Sequence, residues 1–209
     1  EVTDDRVVEH IRLRDIFPIG VQILRENRPF RNYTLVKVLV GAAEFAVPYY
    51  IIAAGELEGA PAGFVGIMTT VYLVSKVVSS LVLGRIADRF GATRVLRCSC
   101  LCGAAAALMV ILIRDWRLAF VMYALLAVAV NGVMMSNNIA CVAYSGNVRT
   151  PIYAAASGLL CAPLYVVSSF AGAAIVGRFS YTAVFLIAMA VYAVCALLTF
   201  TLKDEPNRR

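Results

Sequence analysis

The chain has 209 residues, 61% hydrophobic and 15% charged, with mean hydropathy +0.81 and a formal net charge of +6. A soluble domain carries about 45–50% apolar and about 25% charged residues, so this composition excludes an ordinary water-soluble fold. The apolar residues fall in long runs, and about 18 or more consecutive apolar residues can cross a bilayer core of about 30 Å as a helix.

Residues 1–32 are amphiphilic. Val7, Val8, Ile11, Ile16, Phe17 and Val21 alternate with Arg, Asp and Glu, and Pro18 and Gly20 are expected to interrupt any helix. The segment reads as a linker with one or two short helices at the membrane surface or under a bundle. The first residue is Glu1 and no signal-peptide pattern follows, so the sequence is expected to be a fragment or a processed form.

Six spans follow, over residues 33–54, 62–83, 95–113, 118–137, 152–176 and 181–202, with a tail at 203–209. Their short connections make successive helices antiparallel neighbours. The fold class is therefore all-α, a six-helix transmembrane bundle. Of the 19 basic residues, fourteen lie on the side of the two termini. Three (Arg114, Arg117 and Arg178) lie on the other side, and Lys37 and Lys76 lie within spans. The positive-inside bias predicts a multi-pass protein of the cell (inner) membrane with both termini cytoplasmic. It also accounts for the net charge without a nucleic-acid partner. The first outer loop, 55–63, carries Glu56 and Glu58 and no base, in keeping with that orientation.

Cys98, Cys100 and Cys102 form a C-x-C-x-C run in the third span. Helix positions two apart do not face each other, so the three cannot ligate one ion, and no metal or cofactor is expected. The sequence has no G-x-x-x-x-G-K-[ST], and a single histidine, His10, rules out H-E-x-x-H. An enzyme is not expected.

Between the second and third spans lies Gly84-Arg-Ile-Ala-Asp88-Arg89-Phe-Gly91-Ala-Thr-Arg94-Val-Leu96. It resembles the loop signature of the major facilitator superfamily, roughly G-x-L-A-D-R-x-G-R-K-x-x-L. The match covers Gly84, Ala87, Asp88, Arg89, Gly91 and Leu96, with Ile86 as an apolar equivalent. Ala92-Thr93 replaces two basic residues, and Arg94 restores part of that charge. Gly84 suits a close helix approach, Gly91 a tight reversal, and Asp88 a partner in Arg89 or Arg94. Asn27-Arg-Pro-Phe30, Asn147-Val-Arg149-Thr-Pro-Ile-Tyr153 and the stretch from Gly172 to Phe185 resemble other parts of the family's C-terminal six-helix half. The resemblance implies half of that fold, with the loop acting as a latch that favours one conformation.

Ionisable groups inside spans are costly and read as functional candidates. Glu44 lies near the middle of the first span and Lys76 in the second; their depths differ by roughly 4–5 Å, so a pair is expected. Lys37 is expected to snorkel toward the cytoplasmic end. In the family the first and fourth helices of each half line the cavity. Glu44 is thus implied either to meet solute or to respond to protons, with a purely structural ion pair as the other reading. Asn131 and Asn138 are seven apart on one face, and suit either the cavity or interhelical bonds. Pro48 permits a bend, and Tyr49 and Tyr50 suit either solute contact or the interfacial aromatic belt. The resemblance implies a secondary active transporter working by alternating access, ion- or proton-coupled, for a small solute of unspecified type. Its implied partners are the lipid bilayer and a missing N-terminal six-helix half or a second copy. A half-size transporter acting as a homodimer, and a non-transporting scaffold or receptor, are the alternatives.

Overall fold

The computed structural model describes residues 13–57, 59, 61, 63–146 and 150–202. His10, Glu58, Asn147, Arg149 and the tail at 203–209 lie outside the described residues.

Helix α1 (Leu13–Glu26) runs through Pro18 and Gly20, contrary to the expected interruption. Gly20 is buried against α7, where an added Cβ would stand 3.1 Å from the Ala156 Cβ. Packing on a neighbour overrides the weak local preference.

The first span starts at Arg28, earlier than hydropathy indicates. Asn27 accepts a hydrogen bond from the Phe30 N–H at 3.1 Å, and Pro29 occupies the first turn. This is a capped helix start, so charged Arg28 and Arg31 fall inside the helix. The span is α2 (Arg28–Ala43), a 3-10 turn at Glu44–Ala46, then α3 (Val47–Gly55). Pro48 has no N–H to offer the Glu44 carbonyl, and the Val47 N–H takes it instead. That three-residue bond tightens the helix locally, so the bend expected from Pro48 appears as a 3-10 segment.

Helix α4 (Phe64–Phe90) and α5 (Ala92–Leu112) are separated by Gly91 alone. Gly91 has φ 79° and ψ 179°, a conformation open only to glycine without strain. The segment expected as a loop after Gly84 is therefore the last two turns of α4. A 3-10 turn (Trp116–Leu118) leads into α6 (Ala119–Ser145), followed by α7 (Thr150–Arg178) and α8 (Tyr181–Leu198). Helix α6 runs eight residues past the expected end at Asn137. Ser136, Ala140, Cys141 and Tyr144 face the interior there, so the helix continues through the polar stretch with an inward face of its own.

Six helices are long and apolar enough to cross a membrane, and no strand occurs among the described residues. Helix α6 packs most extensively on α5 and α4, and α8 on α5 and α2. Chain neighbours are thus not always the closest partners, contrary to expectation; α7 rests chiefly on α1 and the first span. The α5–α6 contact is close because Gly132 has no side chain: an added Cβ would collide with the Ser99 Oγ and stand 3.0 Å from a Leu83 methyl. The core joins Tyr33, Val40, Met68, Leu96, Met122, Leu126 and Tyr192. Outside it, Leu73, Val74, Val77, Val78, Leu81 and Val82 make a broad exposed apolar face on α4. A face of this size is at home in lipid or under another subunit, not in water.

At the end of the bundle rich in arginine, Arg97 joins α5 to α8. Its Nε donates to the Thr199 Oγ1 at 3.0 Å and a terminal nitrogen to the Thr199 carbonyl at 3.1 Å. The guanidinium also lies 3.7 Å from the centre of the Phe200 ring. Planar guanidinium geometry allows all three contacts at once.

Candidate functional site

The 3-10 turn places Glu44 midway along the first span, half-buried, where the helix tightens ahead of Pro48. The Tyr165 hydroxyl of α7 lies beside the carboxylate as its hydrogen-bonding neighbour, and the Lys37 ammonium contributes an attractive field. Gly41, one turn before Glu44, makes this contact possible. A Cβ there would stand 3.1 Å from the Tyr165 ring and hydroxyl. One turn beyond, Phe45 and Tyr49 lie over Gly172 of α7. The fifth span is thus pressed against the first along the break. Tyr72 of α4 and Tyr192 of α8 are also near enough to Glu44 to feel its charge. One carboxylate thus acts on tyrosines of three other spans.

The expected Glu44–Lys76 pair is absent. Lys76 is half-buried on α4, and its ammonium lies 5.8 Å above the Tyr72 ring, a cation–π contact. Geometry explains the difference: Lys37 lies two turns from Glu44 on the same face, and Tyr165 fills the space beside the carboxylate.

Lys37 does not snorkel. It is 7% exposed, and its Nζ donates to the Ser157 Oγ of α7 at 2.9 Å. Ser157 in turn donates to the Asn137 Oδ1 of α6 at 2.8 Å. This chain joins three spans through a buried cation that is nearly cut off from solvent. A second, also buried, bond joins Tyr33 of α2 to Ser136 of α6.

Asn131 faces α4. Its Nδ2 lies 2.9 Å from the Ser79 and Ser80 hydroxyls and 3.3 Å from the Lys76 carbonyl. It therefore holds the backbone that carries Lys76. Asn138 is exposed and does not join it. Tyr49 is half-buried with its ring 6.1 Å from that of Tyr181. Tyr50 is buried against Phe185 and its hydroxyl has no hydrogen-bond partner among the described residues, so it is no belt residue.

At the far end, Gly84 sits beside a Met135 methyl, and Asp88 and Arg89 are exposed on the closing turns of α4. Arg94 lies over the Phe90 ring at 4.5 Å and not against Asp88. Gly91 is the one element of this group whose role the backbone itself specifies. In α5, Cys100 is buried while Cys98 and Cys102 are half-buried, and all three are free thiols.

Sequence reasoning placed Glu44, Lys76 and Asn131 in spans but did not find Tyr165, Tyr72, Ser157 or Asn137 as their partners. These contacts join residues such as 37 and 157, separated by 120 positions. No local spacing signals such a pair. The one available sign was Lys37 seven residues before Glu44.

A family model described as Major Facilitator Superfamily matches residues 33–209. No curated protein matches the chain, and no solved structure does.

Proposed function

The chain belongs to the Major Facilitator Superfamily, a family of membrane transporters, and on that premise we propose that it is the C-terminal six-helix half of a secondary active transporter. It works by alternating access, moving a small solute past Glu44 in an ion- or proton-coupled cycle. One observation carries this reading. A carboxylate at mid-span stands on a 3-10 turn of its helix, beside the Tyr165 hydroxyl, with Tyr72 and Tyr192 of two further spans within its field. A purely structural ion pair needs neither a 3-10 turn nor so many polar neighbours. An intramembrane carboxylate with this company suits a group whose partners change during a cycle.

In this reading the arginine-rich end faces the cytoplasm, and the membrane is the inner membrane of the cell. The least covered spans are the second and the fifth, 11% and 17% buried. They form the surface on which another six-helix unit sits, whether an N-terminal half or a second copy. The chain before Arg28 serves as the linker into the half, and residues 203–209 as its tail. The turns around Gly84, Asp88, Arg89, Gly91 and Arg94 act as the conformational latch.

The test is solute flux in proteoliposomes under an imposed proton gradient. The intact transporter is expected to accumulate solute, and Glu44→Gln to lose at least about tenfold of the gradient-driven rate, the size of one charge-assisted interaction. Gradient-driven uptake with unchanged pH dependence in Glu44→Gln overturns the coupling role. Absence of flux for every solute tried, with the whole transporter present, favours a non-transporting scaffold instead.

A further inference from the structure

Among the described residues, three charged side chains lie well inside the spans: Lys37, Glu44 and Lys76. Two cations accompany one carboxylate, an excess of one positive charge. Glu44 is answered twice, by the Tyr165 hydroxyl and by Lys37. Lys37 is answered by Glu44 and Ser157. Lys76 has only the Tyr72 ring face, and no carboxylate among the described residues pairs with it.

Lys76 cannot escape to water along the helix. It is fourteen residues from Phe90 and twelve from Phe64, the two ends of α4. At about 1.5 Å per residue these ends are roughly 21 and 18 Å away, beyond the reach of a lysine stem. The Asn131 bond to its carbonyl and to Ser79 and Ser80 fixes the helix at this level. Tyr72, one turn away on the same face, carries the Lys76 ammonium over its ring and itself lies within the field of Glu44.

Resting on the transport reading above, we propose that the solute is a small organic anion whose negative group is held by the Lys76 ammonium beside Tyr72. A cation approaching Lys76 meets a like charge, and the aromatic face that would receive it already carries the ammonium. A neutral solute leaves the Lys76 charge without a counterion at a depth where charge is poorly tolerated. An anion completes the balance, and the Tyr72 ring flanks its organic part.

The experiment uses the purified full-length protein in nanodiscs. Thermal stabilisation is measured against size-matched sets of carboxylates, sulfonates, primary ammonium ions and neutral alcohols, with benzoate, benzylammonium and benzyl alcohol as one such set. The anions alone are expected to stabilise. Lys76→Gln is expected to weaken their binding by on the order of 10- to 100-fold, the strength of a charge-assisted hydrogen bond. Lys76→Arg is expected to keep the anion preference, and it remains informative if the Gln variant does not fold. Stabilisation by ammonium ions or alcohols equal to that by anions overturns the assignment. So does unchanged anion binding in Lys76→Gln, or no stabilisation by any anion. Failure of the transport reading looks different: proteoliposomes then show no flux for any charge class.

Discussion

Single atoms set several of the tightest contacts. Gly132 is one, because the Ser99 Oγ occupies the place its Cβ would take. Ser99 is itself fixed by donating to the Val95 carbonyl at 2.8 Å, so it cannot swing away freely. Gly132→Ala is expected to lower stability by about 1–3 kcal/mol, read as a fall in thermal midpoint in detergent. Adding Ser99→Ala removes the colliding oxygen and is expected to restore part of the loss, a coupling that a double-mutant cycle measures. Gly41 works differently, since it admits the Tyr165 hydroxyl to Glu44. Gly41→Val is expected to separate that pair and to lower flux about tenfold or more, matching Tyr165→Phe in direction. A Gly41→Val protein with full flux removes Tyr165 from the site.

At the scale of elements, helix ends are where side chains decide most. Arg97 closes the end of α8 by bonding the Thr199 carbonyl and hydroxyl and covering Phe200. Lysine can supply one of these bonds but not the planar stack, so Arg97→Lys is expected to behave nearly as Arg97→Ala. Both are expected to raise amide hydrogen exchange over residues 195–202, while exchange in α6 stays unchanged. The same scale shows what the sequence reveals. All six spans were legible, because lipid demands long apolar runs that no local preference can disguise. Ends were not. Arg28 and Arg31 hid a capped start, and Asn137 and Asn138 imitated a terminus while α6 continued. The break at Pro48 was legible because a missing N–H is a local fact. The company of Glu44 was not, because Tyr165 and Tyr72 come from distant spans and look like ordinary members of apolar runs. The segment around Asp88 was recognisable as a motif, yet its shape, helix to the last residue before Gly91, was hidden by its charge.

For the whole molecule, charge asymmetry predicts topology. On a background lacking the six native cysteines, Glu56→Cys is expected to react with a membrane-impermeant maleimide in intact cells. Asp88→Cys, exposed at the opposite end, is expected to react only after permeabilisation. The reverse pattern inverts the orientation. Burial is also uneven, with the second and fifth spans far less covered than the fourth, which is 44% buried. Placement of Gly91 has a consequence for biosynthesis. With one residue between α4 and α5, the reversal between the two helices has no slack to absorb an error at that position. The two helices are expected to pair as a hairpin as soon as both are made. A side chain at residue 91 would then be felt first during synthesis, as less protein integrated into the membrane, before any effect on the mature bundle.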